Sequence, residues 1–289
     1  MKKLFLLACL LAGLYSCTTK PNIEIGTTSA LWKEPTVADF LDAKQNGIEY
    51  IEVAMNQCYR NVPEDQVIPR LHALKSKIDS AGLKVWSIHL PFSRTLDISV
   101  PDFETRKQNV EFMADMIRVS AIFKPSKLVL HGSSEPIEDD VREQRIKNSI
   151  QSIGYLQQYA KEIGAQLCVE NLPRTCLGNT PEELLRMIEG YPEVGICFDT
   201  NHYLLGDPMH FAWIAGHRVG TLHISDYDGV NESHWIPGDG VILWKDLFNI
   251  LIQKGYNGVY MHEALKTKDG ERVTAGRLAE RFKLISPSP

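Results

Sequence analysis

Apolar and polar positions alternate along the chain in a repeating order. Short runs rich in Val, Ile, Leu and Cys are followed by longer stretches with the 3.6-residue spacing of amphipathic helices. The runs predict strands at Ile23–Thr27, Tyr50–Ala54, Lys84–His89, Lys127–His131, Gln166–Glu170, Val194–Asp199, Val219–His223 and Gly258–Glu263. Helical patterns are predicted at Thr36–Asn46, Glu104–Phe123, Arg142–Gly164, Thr180–Glu189 and Val273–Ile285. The first has a Thr cap with Asp39 three residues on and stops before Gly47. The fourth opens Thr-Pro-Glu-Glu and stops before Gly190. The strand starts recur at roughly 30-residue intervals, the size of a βαβ unit. Eight such units without a change in composition predict one α/β domain, a closed parallel (β/α)₈ barrel. The alternative is an open doubly wound sheet, which would often carry a Gly-rich loop after its first strand, and none follows here.

The first residues have a different pattern. Lys2 and Lys3 precede an apolar run of eleven residues, Leu4 to Leu14, and Leu14-Tyr15-Ser16-Cys17 has the form of a lipoprotein processing site. That run suits a signal-peptide core and falls short of the about 20 residues a spanning helix needs. Residues 1–16 are therefore expected to be a signal peptide, Cys17 the lipidated N-terminus, 17–22 a polar tether and 23–289 the barrel. The protein is then exported and held at a membrane by its acyl chains, on the periplasmic or outer face.

The net charge of −5 and the lack of a Lys/Arg run argue against a nucleic-acid partner, which would favour a basic stripe. Cys58 and Cys176 fall in predicted loops, Cys168 and Cys197 in strands, where a small buried hydrophobe is the expected role.

The chemistry lies where the strands stop. The third to eighth strands end on His89, His131, Glu170, Asp199, His223 and Glu263. In a parallel barrel these ends gather at the C-terminal mouth, where barrel active sites sit. His202 follows Asp199 by three residues, and Glu232-Ser233-His234 and Gly238-Asp239-Gly240 come from the loop after the seventh strand. The glycines are expected to let backbone approach a ligand. His72, His210 and His217 are expected at the surface, and His262 outside the barrel interior, because its neighbour Glu263 points in.

Val169-Glu170-Asn171, Phe198-Asp199-Thr200-Asn201-His202, Leu222-His223-Ile224-Ser225-Asp226 and His262-Glu263, in this order, resemble the xylose isomerase-like barrel superfamily. It contains sugar isomerases and epimerases, inosose dehydratases and endonuclease IV-type repair enzymes. The resemblance implies a metal held by Glu170, Asp199, His223 and Glu263, with His202 touching substrate. Three carboxylates and an imidazole suit Mn²⁺ or Mg²⁺ first, with Co²⁺ or Zn²⁺ also compatible. Glu170 and Glu263 are the expected acid–base pair beside a polarised carbonyl. His89, Trp32, Phe92 and Glu52 are further candidates for substrate contact, as is Arg174 more weakly. The aromatic residues, Trp235 with them, can equally be packing, and Glu52 can equally be a structural hydrogen-bond partner.

The leading expectation is a metal-dependent isomerase or epimerase acting on a small carbohydrate. Keto-sugar lyase or dehydratase chemistry uses the same site. A multi-zinc phosphodiesterase of the endonuclease IV kind is the alternative, since His89, His131 and the Glu232-Ser233-His234 run resemble that branch's additional ligands, with Glu where it has Asp. A non-catalytic sugar-binding lipoprotein would leave Glu170 and Glu263 without a catalytic role.

Overall fold

A computed structural model describes residues 23–286. The expected signal peptide, Cys17 and expected tether, and residues 287–289, lie outside the described residues. Eight strands alternate with helices: β1 (Ile25–Thr28), α1 (Val37–Gln45), β2 (Tyr50–Ala54), α2 (Asn56–Tyr59), α3 (Glu64–Ser80), β3 (Lys84–His89), α4 (Phe103–Ser120), β4 (Lys127–His131), α5 (Asp139–Glu162), β5 (Gln166–Glu170), α6 (Pro181–Ile188), β6 (Gly195–Asp199), α7 (Pro208–Ala215), β7 (Val219–His223), α8 (Trp244–Gln253), β8 (Tyr260–His262) and α9 (Ala275–Ile285). All paired strands are parallel, in the order β7-β6-β5-β4-β3-β2-β1-β8. Ile224, just past β7, meets His262 of β8 through Ile224 N to Met261 O (2.8 Å) and Glu263 N to Ile224 O (3.0 Å), closing the ring. The fold is a (β/α)₈ barrel.

The caps read from the sequence form as expected. Thr36 Oγ1 accepts from Asp39 N (3.2 Å) while Asp39 Oδ2 accepts from Thr36 N (2.8 Å), a reciprocal box at the start of α1. Thr180 caps α6 with Pro181 in the first turn. The strands are buried on both sides, as a parallel sheet wrapped by helices requires. Val129, Cys168 and Cys197 form a small apolar cluster of their own, all fully buried. The cysteines Cys58, Cys168, Cys176 and Cys197 are free and buried, and Cys58 sits in α2, not in a loop. Among the described residues no helix is long and apolar enough to cross a membrane.

Candidate metal centre and its surroundings

Alternation along each strand decides which side chains point into the barrel, and register decides their depth. Cross-strand pairing puts His131 level with Glu170 and Asp199 level with His223. The buried ends of β5, β6 and β7 therefore converge with Glu263, the residue after β8, and Glu170, Asp199, His223 and Glu263 bring one ligand atom each within 4.8 Å of one another. His223 Nδ1 lies 2.9 Å from Glu170 Oε1, 3.0 Å from Glu263 Oε2 and 3.9 Å from Asp199 Oδ2. Glu170, Asp199 and His223 are at most 1% exposed.

Glu170 Oε2 is met by His131 Nε2 at 3.0 Å and His89 Nε2 at 3.3 Å, whereas one carboxylate oxygen here, Asp199 Oδ2, is buried without a hydrogen-bond partner. A buried acidic oxygen left in this way is costly unless a cation meets it. Burial pushes the Asp199 carboxyl up to about 7 against the pull of His202 and His234. Burial also opposes ionisation of Glu170, but His223, His131 and His89 outweigh it and hold that carboxyl well below the usual range. A hard, mostly oxygen donor set with an unpartnered Asp199 oxygen among it fits a divalent ion.

Around this centre lie the additional histidines. His89 Nε2 and His131 Nε2 stand 3.3 and 3.0 Å from Glu170 Oε2, and His89, Glu170 and His223 form a second group with metal-ligand spacing. His202, Glu232 and His234 form a third. Nδ1 of His202 is 3.0 Å from the Asn171 carbonyl, which turns Nε2 toward Asp199 Oδ2 (3.6 Å) and Glu232 Oε1 (3.5 Å). Burial would lower the His202 pKa, but Asp199, Glu232 and Glu170 raise it to about 10. His234 occupies left-handed backbone, φ 50°, a conformation that disfavours a non-glycine residue and concentrates at functional sites. Asn201 Oδ1 secures that turn by accepting from Ser233 N (2.8 Å) and His234 N (3.4 Å).

The other candidates divide. Phe92 covers the histidines, its ring 4.4 Å from the His131 ring and 4.8 Å from His89 between centroids. With His131, His202, Arg174 and Glu232 it lines a cavity of about 340 Å³ at the mouth. Arg174 is tied to Glu135 (2.8 Å) and Glu232 (2.5 Å). Trp32 packs edge-on against Phe40 (5.3 Å) in the layer around the barrel. Trp235 pairs its backbone with Asp226, and Lys268 lies over its ring. Glu52, open in sequence between substrate contact and a structural hydrogen bond, is 0% exposed and lies a layer deeper, because register sets it beside Ser87 while Ala54 pairs with His89.

The glycines after β7 also differ from expectation. A Cβ on Gly240 would meet Tyr227 O at 2.1 Å and Asp226 Oδ1 at 2.3 Å, so the close approach is to the protein itself. The buried Asp226 carboxylate accepts from Gly238 N (2.7 Å), Trp244 Nε1 (2.9 Å), Tyr227 N (3.0 Å) and Ile242 N (3.2 Å). His72, His210 and His217 are exposed as expected. His262 points outward onto Phe282 of α9, 5.5 Å between ring centroids.

Residues 40–282 match the family of xylose isomerase-like TIM barrels. The chain belongs to that family. Within it, the chain is 27% identical over 191 residues to an uncharacterized protein of Methanocaldococcus jannaschii, a match covering 63% of this chain and 65% of that one. It is 29% identical over 147 residues to fructoselysine 3-epimerase of Escherichia coli O157:H7, covering 47% of this chain and 52% of the relative. The chain thus spans between half and two thirds of the length of these relatives. A D-tagatose 3-epimerase-like protein superposes with a TM-score of 0.73 at 20% identity, covering 91% of this chain and 98% of the other, a likeness of fold.

Proposed function

We propose that this barrel is a divalent-metal-dependent sugar isomerase or epimerase that moves a proton at the carbon beside a carbonyl. The observation that carries the reading is the convergence of Glu170, Asp199, His223 and Glu263 at the C-terminal mouth, with an Asp199 oxygen there left unpartnered. Relatives named as epimerases of sugars and sugar derivatives, 3-epimerases and a 4-epimerase among them, support it. Glu170, Asp199, His223 and Glu263 would hold the ion, Mn²⁺ or Mg²⁺ first, with Co²⁺ or Zn²⁺ also compatible. When bound, it supplies the Lewis acidity that polarises a sugar carbonyl and acidifies the adjacent C–H.

The residues of the chain do the rest. Glu170 and Glu263 come from strands three apart around the ring, and one takes the proton from one face of the sugar carbon while the other returns it to the opposite face. Both are held in the ionised form, Glu263 against burial by His223 and His234. His202, on the cavity wall, donates to a substrate oxygen. Phe92 gives the sugar an apolar surface and covers the histidines below it. Arg60, Phe92 and Ser93 are shared between the walls of this cavity and of a groove of about 850 Å³ beside it.

The test is isotope exchange. Ketoses incubated with the Mn²⁺-supplemented protein in deuterated water should gain deuterium beside the carbonyl, and Glu263→Gln should abolish the gain. Release of water or of a carbon fragment from the same substrates would point instead to the lyase or dehydratase use of the site.

A second reading, a multi-zinc phosphodiesterase, is favoured by one observation: Glu170 Oε2 faces His89 and His131 while His202, Glu232 and His234 form a separate group. The acidic net charge weighs against a nucleic-acid substrate. Export and lipidation at Cys17 belong to the proposal on sequence grounds alone, and intact-mass analysis of membrane-fraction protein tests them. An unmodified N-terminus elsewhere than Cys17 would exclude them.

A further inference from the structure

We propose that Glu52 is the positioning residue for His223, a buried carboxylate that fixes the imidazole so that Nδ1 is presented to the ion. This rests on the reading of His223 as a metal ligand. His223 Nε2 lies 3.0 Å from Glu52 Oε2, on the side of the ring away from Glu170, Asp199 and Glu263. Ser87 Oγ donates to the same Glu52 oxygen at 2.7 Å, and both residues are fully buried. An imidazole that gives its Nε2–H to a carboxylate keeps its lone pair on Nδ1, and the acceptor fixes both tautomer and ring plane.

The barrel itself has no need of an acid there. Neighbouring layers hold Val129, Cys168 and Cys197, and a leucine or methionine would fill the position without a buried charge. Among the described residues the ion-pair partner of Glu52 is His223, and Glu52 Oε1 has no hydrogen-bond partner. A buried carboxylate without a Lys or Arg is retained at the expense of stability. Its placement depends on an irregularity: Ile51 pairs with Val85 and Glu52 with Ser87, Trp86 being the additional residue in β3. Such a shift re-aims side chains beside functional sites. It places Ser87 where it can donate to Glu52 and leaves the remaining lone pairs of that oxygen to His223.

A structural role and a positioning role predict opposite results. Glu52→Leu and Glu52→Gln should fold with unchanged or raised melting temperature, yet bind Mn²⁺ more weakly in isothermal titration. The loss should be about 10–100-fold for Glu52→Leu and smaller for Glu52→Gln, whose amide oxygen still accepts from Nε2–H. Histidine nitrogen NMR of the Zn²⁺-loaded parent should find the His223 proton on Nε2. Mn²⁺ affinity within twofold of the parent in both variants would overturn the inference and leave the metal site standing. A parent that takes up none of Mn²⁺, Co²⁺ or Zn²⁺ would overturn both. If Glu52→Leu fails to fold, Glu52→Gln and the NMR result decide.

Discussion

Asn171 clasps Asp199 by both ends of its amide. Its Oδ1 accepts from Asp199 N at 2.7 Å and its Nδ2 donates to Asp199 O at 2.9 Å, with both residues buried. The clasp joins the ends of β5 and β6 at the height where Glu170 and Asp199 enter the site. Asn171→Leu keeps the volume and leaves two buried backbone groups unpaired, a loss of about 2–4 kcal/mol. Urea unfolding should give a lower midpoint at unchanged slope, and Mn²⁺ affinity should fall as the two carboxylates lose their fixed separation. A midpoint equal to the parent's would show that the clasp is dispensable.

Much of this was legible in the sequence, for reasons that particular residues make plain. His89, His131, Glu170, Asp199, His223 and Glu263 close apolar runs, and strand periodicity with a parallel barrel is enough to gather them. Five strands and the caps at Thr36 and Thr180 follow the expected bounds, since local pattern decides them. What was not legible depends on register and long-range partners. Glu52 reads as a candidate for substrate contact, but pairing with Ser87 across the shift at Trp86 sets it a layer below the mouth. Asn171, Asn201 and Asp226 look like ordinary turn residues until their partners, far along the chain, are known. Helix α3 carries Pro69 in its interior, which breaks the pattern a reader would follow.

The Asp226 cradle predicts intolerance at Gly240. A methyl group there would collide with backbone Tyr227 O at 2.1 Å as well as with the Asp226 carboxylate. Backbone cannot rotate away as a flexible side chain can, so Gly240→Ala must move the loop that carries Glu232 and His234. Melting temperature should fall by several degrees, about 1–3 kcal/mol, and proteolysis should begin between residues 226 and 243. Unchanged melting and proteolysis would contradict the cradle.

The buried thiols predict an alkaline effect. Burial raises the Cys168 thiol to about 12, and burial with the nearby Glu135 raises Cys176 to about 11. An unfolded chain ionises its thiols near 8.5. The folded form therefore holds its protons more tightly, so this contribution is complete below about pH 8.5 and is lost as pH rises toward the folded values. Native protein should resist iodoacetamide at about pH 8.5 until denaturant is added. Between about pH 8.5 and 10.5, Cys176→Ser should lose stability with pH less steeply than the parent, by urea midpoints. Equal slopes, or rapid labelling of Cys176 in the native protein, would contradict this account.

The number of ions decides between the two readings of the mouth. In the isomerase reading one ion is held by Glu170, Asp199, His223 and Glu263, and Glu170 Oε2 and the outer histidines serve the substrate side. After Mn²⁺ loading and dialysis, elemental analysis should find one ion per chain in the parent and in His131→Ala and His234→Ala. Asp199→Ala should retain none while keeping its circular dichroism spectrum, because the ligands lie above the packed layers that hold the barrel together. Binding should also raise the melting temperature, the gain reaching about 2.7 kcal/mol at a free ion concentration a hundred times the dissociation constant, and Asp199→Ala should lose that gain. In the phosphodiesterase reading the geometry is used differently: His89 and His131 share an ion with Glu170 Oε2, and His202, Glu232 and His234 hold another. The parent would then keep two or three Zn²⁺ ions, His131→Ala would lose one, and cleavage of a phosphodiester would disappear with it. One ion that survives removal of His131 and vanishes with Asp199 is the expected result, because the unpartnered Asp199 oxygen lies in the four-residue group and not beside His131.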